Sequence, residues 1–155
     1  MDEKTNVMRI LEQKKIKHET HSYVGTGAIS GTEVAAVLEQ DPNRVFKTLV
    51  TVGKSKNNYV FVIPVEKELN LKKAAKIVGE KSIDMLKSKD LLPLTGYIHG
   101  GCSPIGMKKF FKTVIDISAE EYDTIIFSAG KIGYQVEMSL SDLSKVIRFT
   151  TADII

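Results

Sequence analysis

Apolar residues recur along this chain in two spacings, and each spacing predicts a different kind of element. Between residues 5 and 17 they recur every three or four positions, which predicts an amphipathic helix capped by Thr5 or Asn6. Residues 44–52 and 59–65 are instead rich in valine and aromatic residues, which predicts two core strands. The polar residues 53–58 between them predict a hairpin turn.

Shorter segments predict the remaining elements. Residues Leu71–Val78 are predicted to form a helix, because Asn70 before them is a typical N-cap and Gly79 after them is a typical helix end. We expect further strands at residues 18–24, 113–117, 124–127, 134–138 and 146–150. We expect further short helices at residues 33–39 (capped by Thr32), 88–92 (or a turn, broken at Pro93), 118–122 (or a turn) and from Ser139 or Ser141 onward. Because strands and helices do not alternate regularly, we predict an α/β fold: a single domain over residues 1–155, with a mixed, mostly antiparallel, β-barrel-like sheet surrounded by short helices.

The composition favours a soluble protein inside the cell. Hydrophobic residues make up 43% of the chain and charged residues 26%, which is ordinary for a globular domain. No apolar run is long enough to span a membrane, and the first residues do not resemble a signal peptide. The single cysteine, Cys102, suits a reducing compartment, so we expect a cytoplasmic protein. The net charge of +3 permits an anionic partner without requiring one.

Small residues interrupt the sequence between positions 95 and 106. The adjacent Gly100 and Gly101 let another molecule approach the main chain closely, and Pro104 favours an extended Ser103. Successive N–H groups in such a loop can bind a carboxylate, phosphate or carbonyl oxygen. The alternative is a plain tight connection between strands. A second loop of small residues, 128–133, could meet the first at one opening.

Lys47 lies inside one of the predicted core strands. A buried lysine is costly unless its ammonium reaches a cleft, a carboxylate or a ligand. Since Phe46 and Lys47 must point to opposite faces of the strand, Lys47 can equally lie on a solvated face. Tyr23 has the same two interpretations, as a hydroxyl that points into a site or as a half-buried structural tyrosine.

Three segments in order, Arg44–Val50, Gly100–Gly106 and Ser128–Gly133, resemble the YbaK/EbsC family of aminoacyl-tRNA deacylases. These are free-standing relatives of the editing domain found in many bacterial prolyl-tRNA synthetases. The resemblance runs from about Tyr23 to the end of the chain. It implies one α/β domain built on a mixed β-barrel. It also implies hydrolysis of mischarged tRNA, most typically cysteine on proline tRNA, with no cofactor.

The resemblance also assigns site residues. Lys47 matches the essential lysine of the family, and we give it the catalytic role. The substrate-binding residues that we expect are Tyr23, Thr48, Gly100, Gly101, Ser103, Pro104, Gly106, Ser128, Ala129, Gly130 and Gln135. Many family members carry aspartate where this chain has Gln135. A neutral amide can hydrogen-bond but cannot act as a base or counter-ion.

The sequence offers no convincing protein nucleophile. Cys102 lies near His99 but has no third group to orient a base, and the matching family position is commonly apolar. His18 and His21 have no evident third ligand, so we expect no metal site. A cysteinyl substrate can instead use its own thiol, which attacks the ester carbonyl intramolecularly and forms a thiolactone. Lys47 would then hold the terminal ribose-phosphate or the aminoacyl group.

Several alternatives stay open. The same fold could remove alanine from proline tRNA with an activated water, or the chain could be a non-catalytic module that binds tRNA or a synthetase. A small-molecule protein that binds an anion in the glycine-rich loop is a third alternative. A basic surface could attract tRNA phosphates in a salt-sensitive way; its residues are Lys72, Lys73, Lys108, Lys109 and Lys112. Prolyl-tRNA synthetase is a candidate partner, and the oligomeric state is left open.

Overall fold

The computed structural model describes residues 3–155 and contains, within that range, eight strands, five α-helices and one 3-10 helix. The strands are β1 (Glu19–Ser22), β2 (Phe46–Gly53), β3 (Asn58–Pro64), β4 (Ile83–Met85), β5 (Lys112–Asp116), β6 (Ile125–Ser128), β7 (Tyr134–Met138) and β8 (Thr150–Ala152). The α-helices are α1 (Asn6–Gln13), α2 (Gly31–Val37), α3 (Leu71–Val78), α4 (Ser88–Thr95) and α5 (Leu140–Leu143), and the 3-10 helix is Ile117–Glu121. None of the helices within residues 3–155 has the length and apolar content needed to cross a bilayer.

The strands form two sheets. One has five strands in the order β4-β2-β3-β5-β8, and the other has three in the order β1-β7-β6. The pairs β2–β3, β2–β4, β1–β7 and β6–β7 are antiparallel, whereas β3–β5 and β5–β8 are parallel. The predicted α/β class, with a mixed and mostly antiparallel arrangement of strands, is confirmed.

The predicted barrel-like closure is wrong for residues 3–155, because the two sheets meet at a single parallel bridge between Val45 and Ile126. There the Ile126 N–H donates to the Arg44 carbonyl at 2.9 Å. On its other side, the Val45 carbonyl accepts from the N–H of Val65, which directly follows β3. The two sheets are thus adjacent at Val45, but they remain separate sheets.

Both faces of the five-stranded sheet are buried. On one face, Val60 and Val62 of β3 join a core that includes Val7 and Leu11 of α1 and the inner face of the three-stranded sheet. On the other face, residues such as Phe61 of β3 pack with helix α3. Two-sided burial explains why β3 reads as a continuous apolar run rather than as an alternating one.

Several element boundaries differ from the sequence-based expectation. Helix α1 ends at Gln13, soon before Lys15, which adopts a left-handed φ of 55°. The cap of α2 is Ser30 rather than Thr32, because Ser30 Oγ accepts from the Glu33 N–H while the Glu33 carboxylate accepts from the Ser30 N–H. Helix α3 has the predicted bounds, with Asn70 as N-cap and Gly79 in the left-handed region.

Three further differences have tertiary causes. Pro93 lies inside α4 instead of ending it; the exposed position leaves the carbonyl that lost its N–H partner open to water. Strand β4 was not predicted, because its three residues show no alternation and it is defined by its pairing with β2. The final strand lies at Thr150–Ala152, since Val146 and Ile147 instead pack against the core after α5.

A close contact between the start of α2 and Val65, the residue after β3, provides a test of this arrangement. A Cβ at Gly31 would lie 2.2 Å from Val65 Cγ1, and the φ of Gly31 is one that alanine can adopt. We expect Gly31→Ala to lower the free energy of unfolding by about 1–3 kcal/mol, because the stiff Val65 side chain cannot move away easily. Denaturant unfolding of Gly31→Ala, Val65→Ala and the double variant would measure the coupling. If the two losses simply add in the double variant, the contact does not carry the effect.

Candidate functional site

A cavity of about 710 Å³ opens beside β2, where β2 faces the start of α2, the ends of β6 and β7, and the loop around His99. Six of the predicted site residues line it: Tyr23, Lys47, Thr48, Gly100, Ser128 and Gln135. They come from four separate parts of the chain, so the fold brings together the segments that carry the sequence resemblance.

The other six predicted residues do not line the cavity: Gly101, Ser103, Pro104, Gly106, Ala129 and Gly130. They shape the two loops from behind. A Cβ at Gly101 would lie 3.3 Å from the Ile132 main-chain nitrogen, which shows that the two small-residue loops are in contact. Gly106 and Gly130 both have positive φ values, of 80° and 93°, and lie close to the Tyr97 ring or hydroxyl. The Tyr97 hydroxyl in turn donates to the Ile105 carbonyl.

Most of the loop's hydrogen bonds are internal. The Gly101 N–H donates to the Ile98 carbonyl at 3.0 Å, and the Ile105 N–H donates to Ser103 Oγ at 3.3 Å. Of the loop residues that line the cavity, His99, Gly100 and Cys102 keep main-chain N–H groups that have no protein acceptor within residues 3–155. These are the donors that the loop can offer to a ligand oxygen.

Lys47 supplies a positive charge at the cavity. Its neighbour Phe46 is buried in the core, so alternation along β2 turns the half-buried Lys47 away from that core. Among residues 3–155, Lys47 forms no salt bridge. Glu33 supplies the one carboxylate among the lining residues, and hydrogen bonds from the Ser30 main chain and side chain hold its pKa below the usual value. The Lys47 charge is therefore available to an anionic ligand.

Thr48 places polar groups along the same wall. Its hydroxyl is buried and has no hydrogen-bond partner within the described part of the chain. The Val45 carbonyl accepts from β3, whereas the Val50 carbonyl accepts from the Leu86 N–H on the opposite edge. Because these directions alternate along a strand, the main-chain N–H and C=O of Thr48 also point away from β3. Strand β4 covers that edge only at Thr51–Gly53, so Thr48 presents main-chain groups beside the cavity.

Cys102 also lines the cavity, but its chemistry does not suit a nucleophile. Burial raises the pKa of its thiol to about 12, so the thiolate is disfavoured at neutral pH. Burial also raises the pKa of the nearby Tyr97 to about 12, with a further contribution from Cys102. No hydrogen bond joins Cys102 to the exposed His99 among residues 3–155.

Gln40 is a site residue that sequence reasoning missed. Its Nε2 donates to Gln135 Oε1 at 2.8 Å, and Gln135 Nε2 donates to Gln40 Oε1 at 3.3 Å. Gln135 is only 4% exposed, so this reciprocal amide pair satisfies a polar group that burial would otherwise penalise. No local pattern could have found the pair, because its members are 95 positions apart.

A second cavity of about 480 Å³ lies on the outer side of the three-stranded sheet and holds an ionic cluster. His21 Nε2 lies 2.8 Å from Glu137 Oε1, and Arg44 Nη2 lies 3.0 Å from Glu137 Oε2. Burial opposes ionisation of Glu137, but hydrogen bonds from Thr124 and His21 and the nearby charges hold its pKa below the usual value.

This cluster changes the reasoning about the histidines. His18 Nδ1 pairs with the Ile16 carbonyl, whereas His21 lies with Glu19 and Glu137, and the potential ligand atoms of these three residues are within 4.8 Å of one another. The carboxylate neighbours that the sequence did not reveal thus come from strands β1 and β7. The Arg44 guanidinium already neutralises Glu137 and opposes a further cation, so we assign no metal here.

Known proteins resemble this chain in sequence and in fold. Residues 28–146 match the family described as aminoacyl-tRNA editing domain. The chain is 48% identical over 138 residues to a protein of Enterococcus faecalis named "Putative Cys-tRNA(Pro)/Cys-tRNA(Cys) deacylase EbsC", an alignment that covers 88% of this chain and 84% of that protein.

Two further matches are more distant. A proline–tRNA ligase of Thermodesulfovibrio yellowstonii is 29% identical over 105 residues, which is 68% of this chain and 18% of the ligase. A solved structure described as "Crystal structure of a putative trans-editing enzyme for prolyl tRNA synthetase" superposes with a TM-score of 0.82 at 21% identity, covering 96% of this chain and 93% of that one. At that identity the superposition shows a shared fold.

The buried thiol leads to a prediction about reactivity. An unfolded thiol with a pKa near 9.0 is partly ionised at pH 8, whereas a thiol with a pKa of about 12 is almost fully protonated. We expect iodoacetamide to alkylate native protein at pH 8 about two to three orders of magnitude more slowly than protein in guanidinium, with a rate still rising above pH 10. Mass spectrometry measures the modification, and Cys102→Ser is the blank. Rapid native alkylation at pH 7 would show an activated cysteine instead.

Proposed function

The chain belongs to the aminoacyl-tRNA editing domain family, and on that premise we propose that it is an aminoacyl-tRNA deacylase that removes cysteine from mischarged proline tRNA. The name of the Enterococcus faecalis relative supports the cysteinyl substrate. The match within a proline–tRNA ligase supports proline tRNA, and makes a prolyl-tRNA synthetase the partner that we would test first. Such a substrate is found in the cytoplasm.

The observation that carries the mechanism is the composition of the cavity wall. Within residues 3–155, it offers a lysine without a salt bridge at position 47, N–H groups without a protein acceptor at Gly100 and Cys102, and a neutral amide at Gln135. It offers no activated nucleophile, since the Cys102 thiol is held in its protonated form. A wall of this kind can position and polarise an ester, so the nucleophile is best supplied by the substrate.

In this mechanism the cysteinyl thiol attacks its own ester carbonyl. A carbon–sulfur bond forms, the bond from the carbonyl carbon to the ribose oxygen breaks, and the proton lost by sulfur ends on the ribose hydroxyl. The products are free tRNA and a cysteine thiolactone, which water then opens to cysteine. Because the attack is intramolecular, holding the two groups in the right orientation supplies much of the acceleration.

The residues of the cavity and its loops have different roles in this mechanism. Lys47 binds the terminal phosphate or the polarised carbonyl with a charge-assisted hydrogen bond. The Gly100 and Cys102 N–H groups face the carbonyl oxygen, where donors stabilise the negative charge that develops. Thr48 offers main-chain groups to the aminoacyl-adenosine end, and Gly101, Ser103, Pro104, Gly106, Ala129 and Gly130 keep the two loops in shape. Tyr23 and Ser128 complete the lining.

The role of Lys47 can be tested directly. We expect Lys47→Ala to lower the deacylation rate about 10²–10³-fold, the usual cost of removing one group that stabilises developing charge. Circular dichroism should show an unchanged fold, because the side chain is turned away from the core. Lys54→Ala, an exposed lysine in the β2–β3 turn, is the matched control and should keep wild-type turnover. A folded Lys47→Ala protein with wild-type turnover would remove Lys47 from the mechanism.

The identity of the nucleophile can be tested with the substrate. At neutral pH a fraction of a thiol with a pKa of roughly 8.5 ionises, whereas an alcohol stays protonated. We therefore expect seryl- and alanyl-tRNA(Pro) to be cleaved at least about 100-fold more slowly than cysteinyl-tRNA(Pro), and mass spectrometry to detect the thiolactone early. Efficient release of alanine, with solvent oxygen incorporated directly, would instead indicate an alanyl-tRNA(Pro) deacylase that activates water. Binding of tRNA without any cleavage would indicate a non-catalytic module.

A further inference from the structure

The loop that lines the cavity runs on into a surface that the mechanism above does not use. We call it the Phe110 surface, and it consists of Lys108, Lys109, Phe110, Lys112 and Arg148. Phe110 is 59% exposed, and among residues 3–155 it is the one aromatic residue in the set of exposed large hydrophobic side chains. The four cations are exposed as well. Within residues 3–155 none of them forms a salt bridge, so their charges are not neutralised by the protein.

Cations and aromatic rings are interleaved on this surface. The Arg148 guanidinium lies 5.9 Å from the centroid of the Phe110 ring. The Lys109 ammonium lies 5.5 Å from the centroid of Phe111, which is itself buried. An exposed ring beside a guanidinium is a platform on which a nucleobase can stack, and the lysines around it can contact phosphates. A peptide partner could pack on the ring, but without phosphates it would leave the three lysines of this surface without a counter-charge.

The Phe110 surface adjoins the cavity through helix α4. Lys108 Nζ donates to the Pro93 carbonyl at 3.3 Å, and the Lys108 main-chain N–H donates to the Thr95 carbonyl at 3.0 Å. Leu91, two residues before Pro93 in the same helix, lines the cavity. Cys102, six residues before Lys108 in sequence, also lines it. Helix α4 and the loop after Cys102 thus connect the cavity wall to the Phe110 surface.

We propose that the Phe110 surface binds the unpaired nucleotides that precede the terminal adenosine of the tRNA. A base stacks on the Phe110 ring beside Arg148, and the lysines contact the adjoining phosphates, while the aminoacyl ester occupies the cavity. This inference rests on the proposed function, because that function places the terminal adenosine at the cavity. Stacking tolerates any base, so the surface supplies affinity for a single strand rather than recognition of one sequence.

The test measures equilibrium binding of uncharged proline tRNA and of a short single-stranded RNA that ends in CCA, so it does not depend on cleavage. We expect Phe110→Ala to weaken both about 5- to 100-fold with little change in the salt dependence, since a base–aromatic stack is lost. Phe110→Trp should restore binding. Lys109→Ala and Lys112→Ala should each reduce the slope of log affinity against log salt by about one. Lys76→Ala and Ile77→Ala are the controls, from exposed positions on α3, and should bind as wild type.

Each result has a defined meaning. Wild-type affinity of Phe110→Ala for both RNAs overturns the proposal, as does a wild-type protein that binds neither RNA. Loss of binding to prolyl-tRNA synthetase in Phe110→Ala, with RNA binding intact, also overturns it and identifies a protein interface. Cleavage of cysteinyl-tRNA(Pro) by the wild-type protein is scored separately. If the wild-type protein does not cleave cysteinyl-tRNA(Pro) but its RNA binding still depends on Phe110, the deacylase function is contradicted and the proposal for the Phe110 surface is supported.

Discussion

The first half of β2 has a partner strand on one side only, and the candidate site depends on this. Strand β3 pairs with β2 along its whole length, from Phe46 to Val52, but β4 covers only Thr51–Gly53 on the other edge. An unpaired edge in a protein normally invites a further strand. Here the cavity occupies that place, so the main chain of Thr48 and the side chain of Lys47 lie at its wall.

The position of β2 is held firmly from the other side. Its partner β3 is buried on both faces, with Val62 in the core shared with the three-stranded sheet and Phe61 in the core under α3. The two sheets meet at the Val45–Ile126 bridge, immediately before β2. A rigid strand of this kind can hold a lysine at a fixed place, which positioning catalysis requires.

The electrostatic character of the cavity fits a mechanism without a protein nucleophile. Its free cation is Lys47, its buried polar group is the neutral Gln135 amide held by Gln40, and its thiol is kept protonated by burial. The Glu137 carboxylate of β7, by contrast, lies with Arg44 and His21 beside the second cavity. The cavity can thus attract an anionic tRNA end and hold an ester, while the bond-forming atom comes from the substrate.

The sequence by itself determined those features that depend on a few neighbouring residues. The strands β2 and β3, the bounds of α3 between Asn70 and Gly79, and the placement of Lys47 opposite to Phe46 all follow from propensity, capping and alternation. The motifs also identified the family, because they keep their order in the chain. Six of the twelve expected site residues line the cavity, and the other six belong to the two small-residue loops without lining it. Their individual roles stay predictions.

Only the tertiary structure decided what distant segments do to one another. It separated the two sheets where a barrel was expected, added β4 to the edge of β2, kept Pro93 inside α4, and joined Gln40 to Gln135. The pairings among these outcomes join distant residues: β4 and β2 pair across 30 to 34 positions of sequence, and Gln40 and Gln135 are 95 positions apart. Propensity and periodicity act within one or two turns of chain, so they carry no information about which distant groups will satisfy one another.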